Sequence, residues 1–202
     1  FLDVGEDSGL IEQVDWLMYA RVIADMARTD MPGYVAINVS PRHFRSPDFA
    51  YRLIDLLEEA EDSPSRLRIE TTEEALLDDA PRISETLDML RERGVLAQLD
   101  DFGTGFSALS YLHRFPIAAL KVARSFVAAL DADAPTESVA DHSGITALAG
   151  ALAIELIAEG VETETQRQFL IRQGTTLAQG YLFSKPISPE EFADFVRLHG
   201  NA

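Results

Sequence analysis

The stretch Leu96-Ala-Gln-Leu-Asp-Asp-Phe-Gly-Thr-Gly105 places a short apolar run before two adjacent acids and a turn with two glycines. Similar runs, apolar or β-branched and ending in polar residues, alternate along the chain with amphipathic helical patterns. This alternation predicts parallel strands joined by helices, in an open doubly wound sheet or a closed (β/α) barrel. The quoted turn lacks the G-x-G-x-x-G pattern of dinucleotide-binding folds, which favours the barrel. The other predicted strands are 35–39, 67–71, 119–123, 155–159 and 177–182.

The length of the chain suits one domain. With 202 residues and 47% hydrophobic residues, the chain can build a single core, and we expect one domain over 1–202. An eight-stranded (β/α) barrel of the TIM type needs two more strands than the six counted. We expect these strands to lie upstream of Phe1, so that the chain lacks the N-terminal strand region of its domain.

The composition excludes several classes of function. Lys and Arg number 17 against 34 Asp and Glu, and the net charge of −17 disfavours binding to nucleic acid polymers or anionic membranes. The chain has no cysteine, which excludes disulfides, thiolate metal sites and thiol nucleophiles. We expect no membrane segment, because the longest apolar stretch is too short to span a bilayer.

Polar residues lie at or near the carboxyl ends of all six predicted strands. In a barrel those ends meet on one face, where barrel enzymes place their chemistry. Carboxylate and amide oxygens without His or Cys suit hard cations such as Mg²⁺, Mn²⁺ or Ca²⁺. Any single acid at such a position is more often a helix cap, but the agreement of six strands predicts a cation pocket. The residues are Asn38, Glu70, Asp100, Asp101, Lys121, Glu159 and Gln179.

Asp100 and Asp101 cannot both face the barrel interior along a regular strand, because successive side chains point to opposite faces. We therefore expect the turn after the strand to aim one of the two inward. The glycines that follow permit close approach to a ligand or partner.

Several ordered motifs together resemble the EAL domains, which are bacterial phosphodiesterases of cyclic di-GMP. The resemblance covers nearly the whole chain and is most specific in Asp100-Asp-Phe-Gly-Thr-Gly105 and Ala158-Glu-Gly-Val-Glu162. Ile37-Asn-Val-Ser40, Glu70-Thr-Thr-Glu73 and Gln179-Gly-Tyr-Leu-Phe183 add to it. The resemblance implies a modified (β/α) barrel whose first strand runs against the others, and a cytoplasmic location, in which the chain could be part of a larger membrane-attached protein.

The resemblance also implies roles for individual residues. Five residues would bind one or two Mg²⁺ or Mn²⁺ ions, with Asp101 bridging two ions. Ca²⁺ would inhibit the hydrolysis. Lys121 would orient the attacking water or steady charge at the phosphorus, and Gln179 and Asn38 would contact the ligand. Glu73 would anchor the loop Gly103-Thr-Gly-Phe-Ser107, which the family uses in dimer contacts. The implied metal ligands are Asn38, Glu70, Asp100, Asp101 and Glu159.

Two departures from the family pattern bear on activity. The signature Glu-Ala-Leu, whose Glu is a metal ligand on the first strand, would lie upstream of Phe1. The literal triplet Glu74-Ala75-Leu76 falls in a predicted helix start and receives no catalytic role. The family's Lys-Ile-Asp is Lys121-Val122-Ala123 in this chain, and a methyl group cannot coordinate the second metal ion.

Three hypotheses follow, and the sequence leaves open whether the chain is an enzyme. The favoured one is a degenerate, weakly active or inactive domain that binds cyclic di-GMP as a receptor and signals to other domains of a longer chain. The second is an active metal-dependent phosphodiesterase that converts cyclic di-GMP to linear pGpG. The third is a scaffold that has lost the nucleotide and keeps only dimerisation through the loop around Phe106.

Overall fold

A computed structural model of the protein describes residues 10–28, 33–78, 80–103, 112–130 and 136–199. These residues belong to two compact units. The first comprises Phe1–Thr71, Ala75–Leu96 and Ile187–Ala202, and the second comprises Thr72–Glu74 and Ala97–Pro186.

Strands and helices alternate along the described chain, as the sequence predicts. All six predicted strands are present, with ends that shift by a few residues, and the largest change is in the last, which shortens to two residues. The elements are α1 (Leu10–Arg28), β1 (Val35–Asn38), α2 (Pro41–Arg45), α3 (Phe49–Glu59), a 3₁₀ turn (Pro64–Arg66), β2 (Leu67–Thr72), α4 (Glu73–Asp78), α5 (Ala80–Glu92), β3 (Leu96–Phe102), β4 (Ile117–Val122), α6 (Arg124–Ala128), α7 (Thr136–Leu152), β5 (Glu155–Ala158), α8 (Glu164–Arg172), β6 (Leu177–Ala178) and α9 (Pro189–His199).

The first unit is built on the parallel pair β1 and β2, whose register runs from Val35 beside Leu67 to Asn38 beside Glu70. Helix α3 is strongly amphipathic and turns its apolar side to the core of this unit. Its fully buried side chains include Phe49, Leu53 and Leu57. Burial of large side chains of this kind contributes about 1.5–3 kcal/mol each, which fixes the strand pair against the helices.

The second unit contains β3, β4, β5 and β6 as neighbouring parallel strands. A small apolar cluster joins α6 and α8 to the end of β5. Its members are Val127, Leu130, Ala158, Val161 and Leu170. Because Ala158 is the last residue of β5, this packing fixes the end of that strand, directly before Glu159.

No described helix is both long enough and apolar enough to cross a membrane. Residues 104–107, which make up most of the predicted dimerisation loop, lie outside the described ranges.

Candidate functional site

The backbone is irregular at the end of β3, where two acids follow one another. The register of β3 with β4 shifts between Leu99 and Phe102, and Asp101 lies in the left-handed region with φ of 51°. The Asp101 amide donates to Oδ1 of Asp100 over 3.0 Å. Because the register shifts here, the strict alternation of side chains does not hold at Asp100 and Asp101.

Three carboxylates come together at the carboxyl ends of β3 and β5. Asp100, Asp101 and Glu159 each offer one oxygen, and these oxygens lie within 4.8 Å of one another. Glu159 directly follows β5, and its amide donates to the carbonyl of Val122 over 3.1 Å, which continues the pairing with β4. A donor set made only of carboxylates suits a hard divalent cation, so these residues fit Mg²⁺, Mn²⁺ or Ca²⁺.

Lys121 lies between two of these acids. Its ammonium Nζ is 2.7 Å from Oε1 of Glu159 and 3.1 Å from Oδ1 of Asp100, and its side chain is only 4% exposed. A lysine is rarely buried to this extent unless it is paired, because the loss of hydration must be offset. The two carboxylates supply that compensation.

Gln179 joins the cluster from the strand end after β6. Its Nε2 donates to Oε1 of Glu159 over 2.8 Å, and its amide donates to the Ala158 carbonyl over 2.8 Å. The next residue, Gly180, has φ of 159°, and a Cβ at that position would come within 2.2 Å of the Val161 carbonyl oxygen. This close approach of two backbones requires glycine and keeps Gln179 beside Glu159.

Glu73 lies at the start of α4 and holds the turn that follows β3. Its Oε1 accepts a hydrogen bond from the Gly103 amide over 2.9 Å, and the side chain is 7% exposed. Its other oxygen, Oε2, is buried and makes no hydrogen bond within the described part of the chain. Glu73 therefore contacts Gly103, the first residue of the loop that it is predicted to anchor.

In the first unit, Asn38 and Glu70 lie side by side at the ends of β1 and β2. The Tyr19 hydroxyl donates to the Asn38 carbonyl over 3.0 Å, and the Val39 amide donates to the Glu70 carbonyl over 2.8 Å. Burial, with a smaller contribution from Asp15, raises the pKa of Tyr19, so its hydroxyl stays a neutral donor. Within the first unit the structure brings Asn38 and Glu70 side by side, and within the second unit it brings together Asp100, Asp101, Lys121, Glu159 and Gln179.

Two sequence features have structural explanations. The triplet Glu74-Ala75-Leu76 lies in helix α4, where Ala75 and Leu76 are buried and serve packing. Ala123 occupies the N-cap position of α6 with φ of −54° and ψ of 146°, and its side chain makes no capping hydrogen bond. The residue that follows β4 is therefore a buried alanine at a helix start, and its methyl group cannot coordinate a cation.

Arg124 and Glu162, to which the sequence patterns assign no role, are in contact. Their side chains form an ion pair, with Nη2 of Arg124 2.5 Å from Oε1 of Glu162. The aliphatic stem of Arg124 crosses Gly160, where a Cβ would come within 2.3 Å of Arg124 Cγ. The glycine between the two acids of Ala158-Glu-Gly-Val-Glu162 was the available signal for this close crossing.

A family model of the EAL domain matches residues 1–186. The chain belongs to the EAL domain family. Cyclic di-GMP phosphodiesterase RocR of Pseudomonas aeruginosa is 36% identical over 96% of this chain and half of its own length. The chain spans between 22% and 50% of the length of the curated relatives it matches.

Solved EAL structures share the fold. The PaMucR phosphodiesterase in complex with c-di-GMP has a TM-score of 0.87 and 34% identity over 95% of this chain and 78% of its own. BlrP1 of Klebsiella pneumoniae, in a manganese and cy-diGMP complex, has a TM-score of 0.78 and 31% identity over 86% of this chain and 44% of its own. The α/β fold is therefore that of EAL domains, which confirms the predicted class of modified TIM-type barrel.

Proposed function

We propose that this EAL domain binds cyclic di-GMP and hydrolyses one of its phosphodiester bonds to give linear pGpG, with the help of divalent cations. The observation that carries the proposal is the convergence of Asp100, Asp101 and Glu159 within 4.8 Å, with Lys121 in contact with two of them. The similar protein RocR is a cyclic di-GMP phosphodiesterase, and the PaMucR phosphodiesterase was solved in complex with c-di-GMP, which supports this choice of substrate.

The cation would be held by Asp100, Asp101 and Glu159, and we propose Asn38 and Glu70 as further ligands. When bound, divalent cations at such sites activate water and neutralise charge on phosphate oxygens. The manganese and calcium complexes of BlrP1 with cy-diGMP support a divalent ion, and Mg²⁺ is our proposal for this chain.

The chain's own polar groups orient the reacting parts. The Lys121 ammonium, which contacts Asp100 and Glu159, would attract negative charge that develops on a phosphoryl group held beside the acid cluster. The Gln179 amide orients the Glu159 carboxylate through its hydrogen bond. Glu73 fixes the Gly103 turn after β3 and so positions the two acids before it.

The test is the appearance of pGpG from cyclic di-GMP in the presence of Mg²⁺ or Mn²⁺. We expect turnover by the wild-type chain, inhibition by Ca²⁺, and a loss of about a hundredfold in Asp101→Asn, because a charged ligand is removed. Asp55→Asn is the matched control, since Asp55 is an exposed acid on α3 of the first unit. An absence of pGpG over a wide range of metal concentrations would rule the hydrolase out.

A second candidate is a receptor that binds cyclic di-GMP with little or no hydrolysis, and Ala123 favours it. The buried methyl group at the start of α6 cannot serve a second cation, which weakens the step that depends on two ions. Titration calorimetry with cyclic di-GMP, in Ca²⁺ and in chelator, tests this candidate. Binding without pGpG formation identifies a receptor, and no binding in either condition excludes it.

We also propose a homodimer through the loop Gly103-Thr-Gly-Phe-Ser107, in a longer protein with further domains. The hydrogen bond from the Gly103 amide to Glu73 fixes the first residue of this loop, and the greater length of relatives such as RocR supports a longer protein. Sedimentation velocity should show a dimer that weakens in Phe106→Ala, and a monomer at every concentration would contradict the proposal.

A further inference from the structure

Lys121 contacts the same carboxylates that a cation would use. Its Nζ is 2.7 Å from Glu159 and 3.1 Å from Asp100, and both acids belong to the cluster of three. The side chains of Asp100 and Glu159 are only 19% and 15% exposed, so water screens their charges weakly. Without an opposing charge, carboxylates this close repel one another.

The charges of the cluster indicate what Lys121 does before metal binds. Three carboxylates and one ammonium leave two negative charges, which matches a single divalent cation. Lys121 lies on β4, which ends at Val122 and is followed by Ala123. A carboxylate in place of Ala123 would add negative charge two residues from the lysine, and the methyl group adds none.

We infer that Lys121 is an internal counter-cation that assembles Asp100 and Glu159 in the metal-free protein and competes with the divalent cation for their oxygens. The inference rests on the proposed function, because that proposal supplies the metal. Lys121 thereby acts as a positioning residue that stabilises the empty site and lowers its affinity for metal. The competition limits occupancy at low metal concentration without removing any ligand.

The first experiment compares wild type with Lys121→Met, which keeps an unbranched apolar stem in the buried position. In chelator we expect a lower Tm for Lys121→Met, since the acids lose their counter-charge. In Mn²⁺ titrations followed by calorimetry and by Tm, we expect about tenfold tighter binding and a larger rise in Tm than for wild type.

Arg124→Gln is the matched control. It also removes one positive charge from the second structural unit, but Arg124 is exposed and pairs with Glu162 outside the acid cluster. We expect Mn²⁺ affinity close to wild type in this variant. Weaker Mn²⁺ binding in Lys121→Met, or equal changes in both variants, would overturn the inference.

A second measurement uses the wild-type chain and does not depend on a variant that folds. The sequence contains two lysines, Lys121 and Lys185, so a side-chain ¹³Cε spectrum has two lysine signals. On titration with Mg²⁺, the Lys121 signal should shift and saturate together with metal binding, while the exposed Lys185 serves as an internal reference. A Lys121 signal that stays unchanged while Mg²⁺ binds would contradict the competition.

Failure of this inference is distinguishable from failure of the proposed function. If neither protein binds Mn²⁺, the metal-dependent function is refuted, and the competition with it. If both bind Mn²⁺ with equal affinity and Lys121→Met is as stable as wild type in chelator, only the counter-cation role is refuted.

Discussion

Two successive strand-to-helix junctions of the second unit carry the candidate site, and they are built differently. Between β4 and α6 there is one residue, Ala123, whose methyl group cannot cap the helix. Between β5 and α8 there are five residues, 159–163, and Thr163 and Gln166 form a complete capping box. The Gln166 side chain accepts hydrogen bonds from the amides of Glu162 at 2.8 Å and Thr163 at 3.1 Å.

The difference shows that the two junctions hold their polar residues in place by different contacts. At the β5 junction, hydrogen bonds of the loop backbone and a close approach by Gly180 hold Glu159 in place without any ligand. At the β4 junction, the strand pairing holds Lys121, and residue 123 contributes only a buried methyl group. We therefore expect substitution at Ala123 to change mainly the rate of the reaction, and substitutions around Glu159 to change mainly the free energy of unfolding.

The largest effect is expected from Gly180→Ala. A Cβ would lie 2.2 Å from the carbonyl oxygen and 2.3 Å from the nitrogen of Val161, and backbone atoms cannot move aside as a flexible side chain can. We expect the free energy of unfolding to fall by about 3 kcal/mol or more, measured by urea denaturation. Gly150→Ala is the control, because this site in α7 has open space and alanine should stabilise the helix by about 0.5–1 kcal/mol.

Next in size is Ala123→Asp, which makes the β4 junction more like the β5 junction. The backbone of Ala123 already has extended dihedral angles that suit an N-cap residue. We expect about tenfold faster pGpG formation, equivalent to about 1.4 kcal/mol, if the new carboxylate serves a cation. Ala129→Asp adds the same charge at the C-terminal end of α6, and an equal gain there would show a general effect of acidity.

Thr163→Ala removes the capping hydrogen bond of the β5 junction and makes it more like the β4 junction. The Thr163 hydroxyl accepts from the Gln166 amide over 3.2 Å, and its loss should cost about 1 kcal/mol of stability by urea denaturation. The matched control is Thr146→Ala, because the Thr146 hydroxyl donates within α7 to the carbonyl of His142 and caps no helix end. Equal losses in the two variants would contradict a specific role for the cap.

The smallest effect concerns the acid in the first turn of α8, for which α6 has no equivalent. Hydrogen bonds from Arg167 and then Gln168 lower the pKa of Glu164 from 4.5 to about 2. A depressed folded-state pKa contributes stability that is complete above pH 4.5 and is lost as pH falls towards 2. Glu164→Gln should therefore be slightly less stable than wild type near neutral pH and equal to it once the pH falls below the folded-state pKa of about 2, in urea midpoints measured across that range. A difference that persists below that pKa would show that the carboxylate's charge is not responsible.

Much of the fold could be predicted from local sequence patterns. Apolar runs and helical periods are properties of neighbouring residues, so the six strands appear where predicted. The sequence also identifies the types of donor at the strand ends, and the alternation rule anticipates an irregular backbone at Asp100 and Asp101. The short length of β6 was not predicted. The Gln179 amide still pairs with Ala158 of β5, but the Gln179 carbonyl accepts from the Val161 amide, so the chain continues along the loop after β5 and not along the strand.

The sequence by itself thus determined the α/β class, the family and the chemical character of an acidic, cysteine-free pocket, since these depend on residue types and their order. Only the tertiary structure decided that Lys121 lies between Asp100 and Glu159 and that Arg124 crosses Gly160 to reach Glu162. These contacts join residues on different strands and loops. The close contact of two backbones at Gly180 likewise joins segments that are distant along the chain, and no local pattern specifies it.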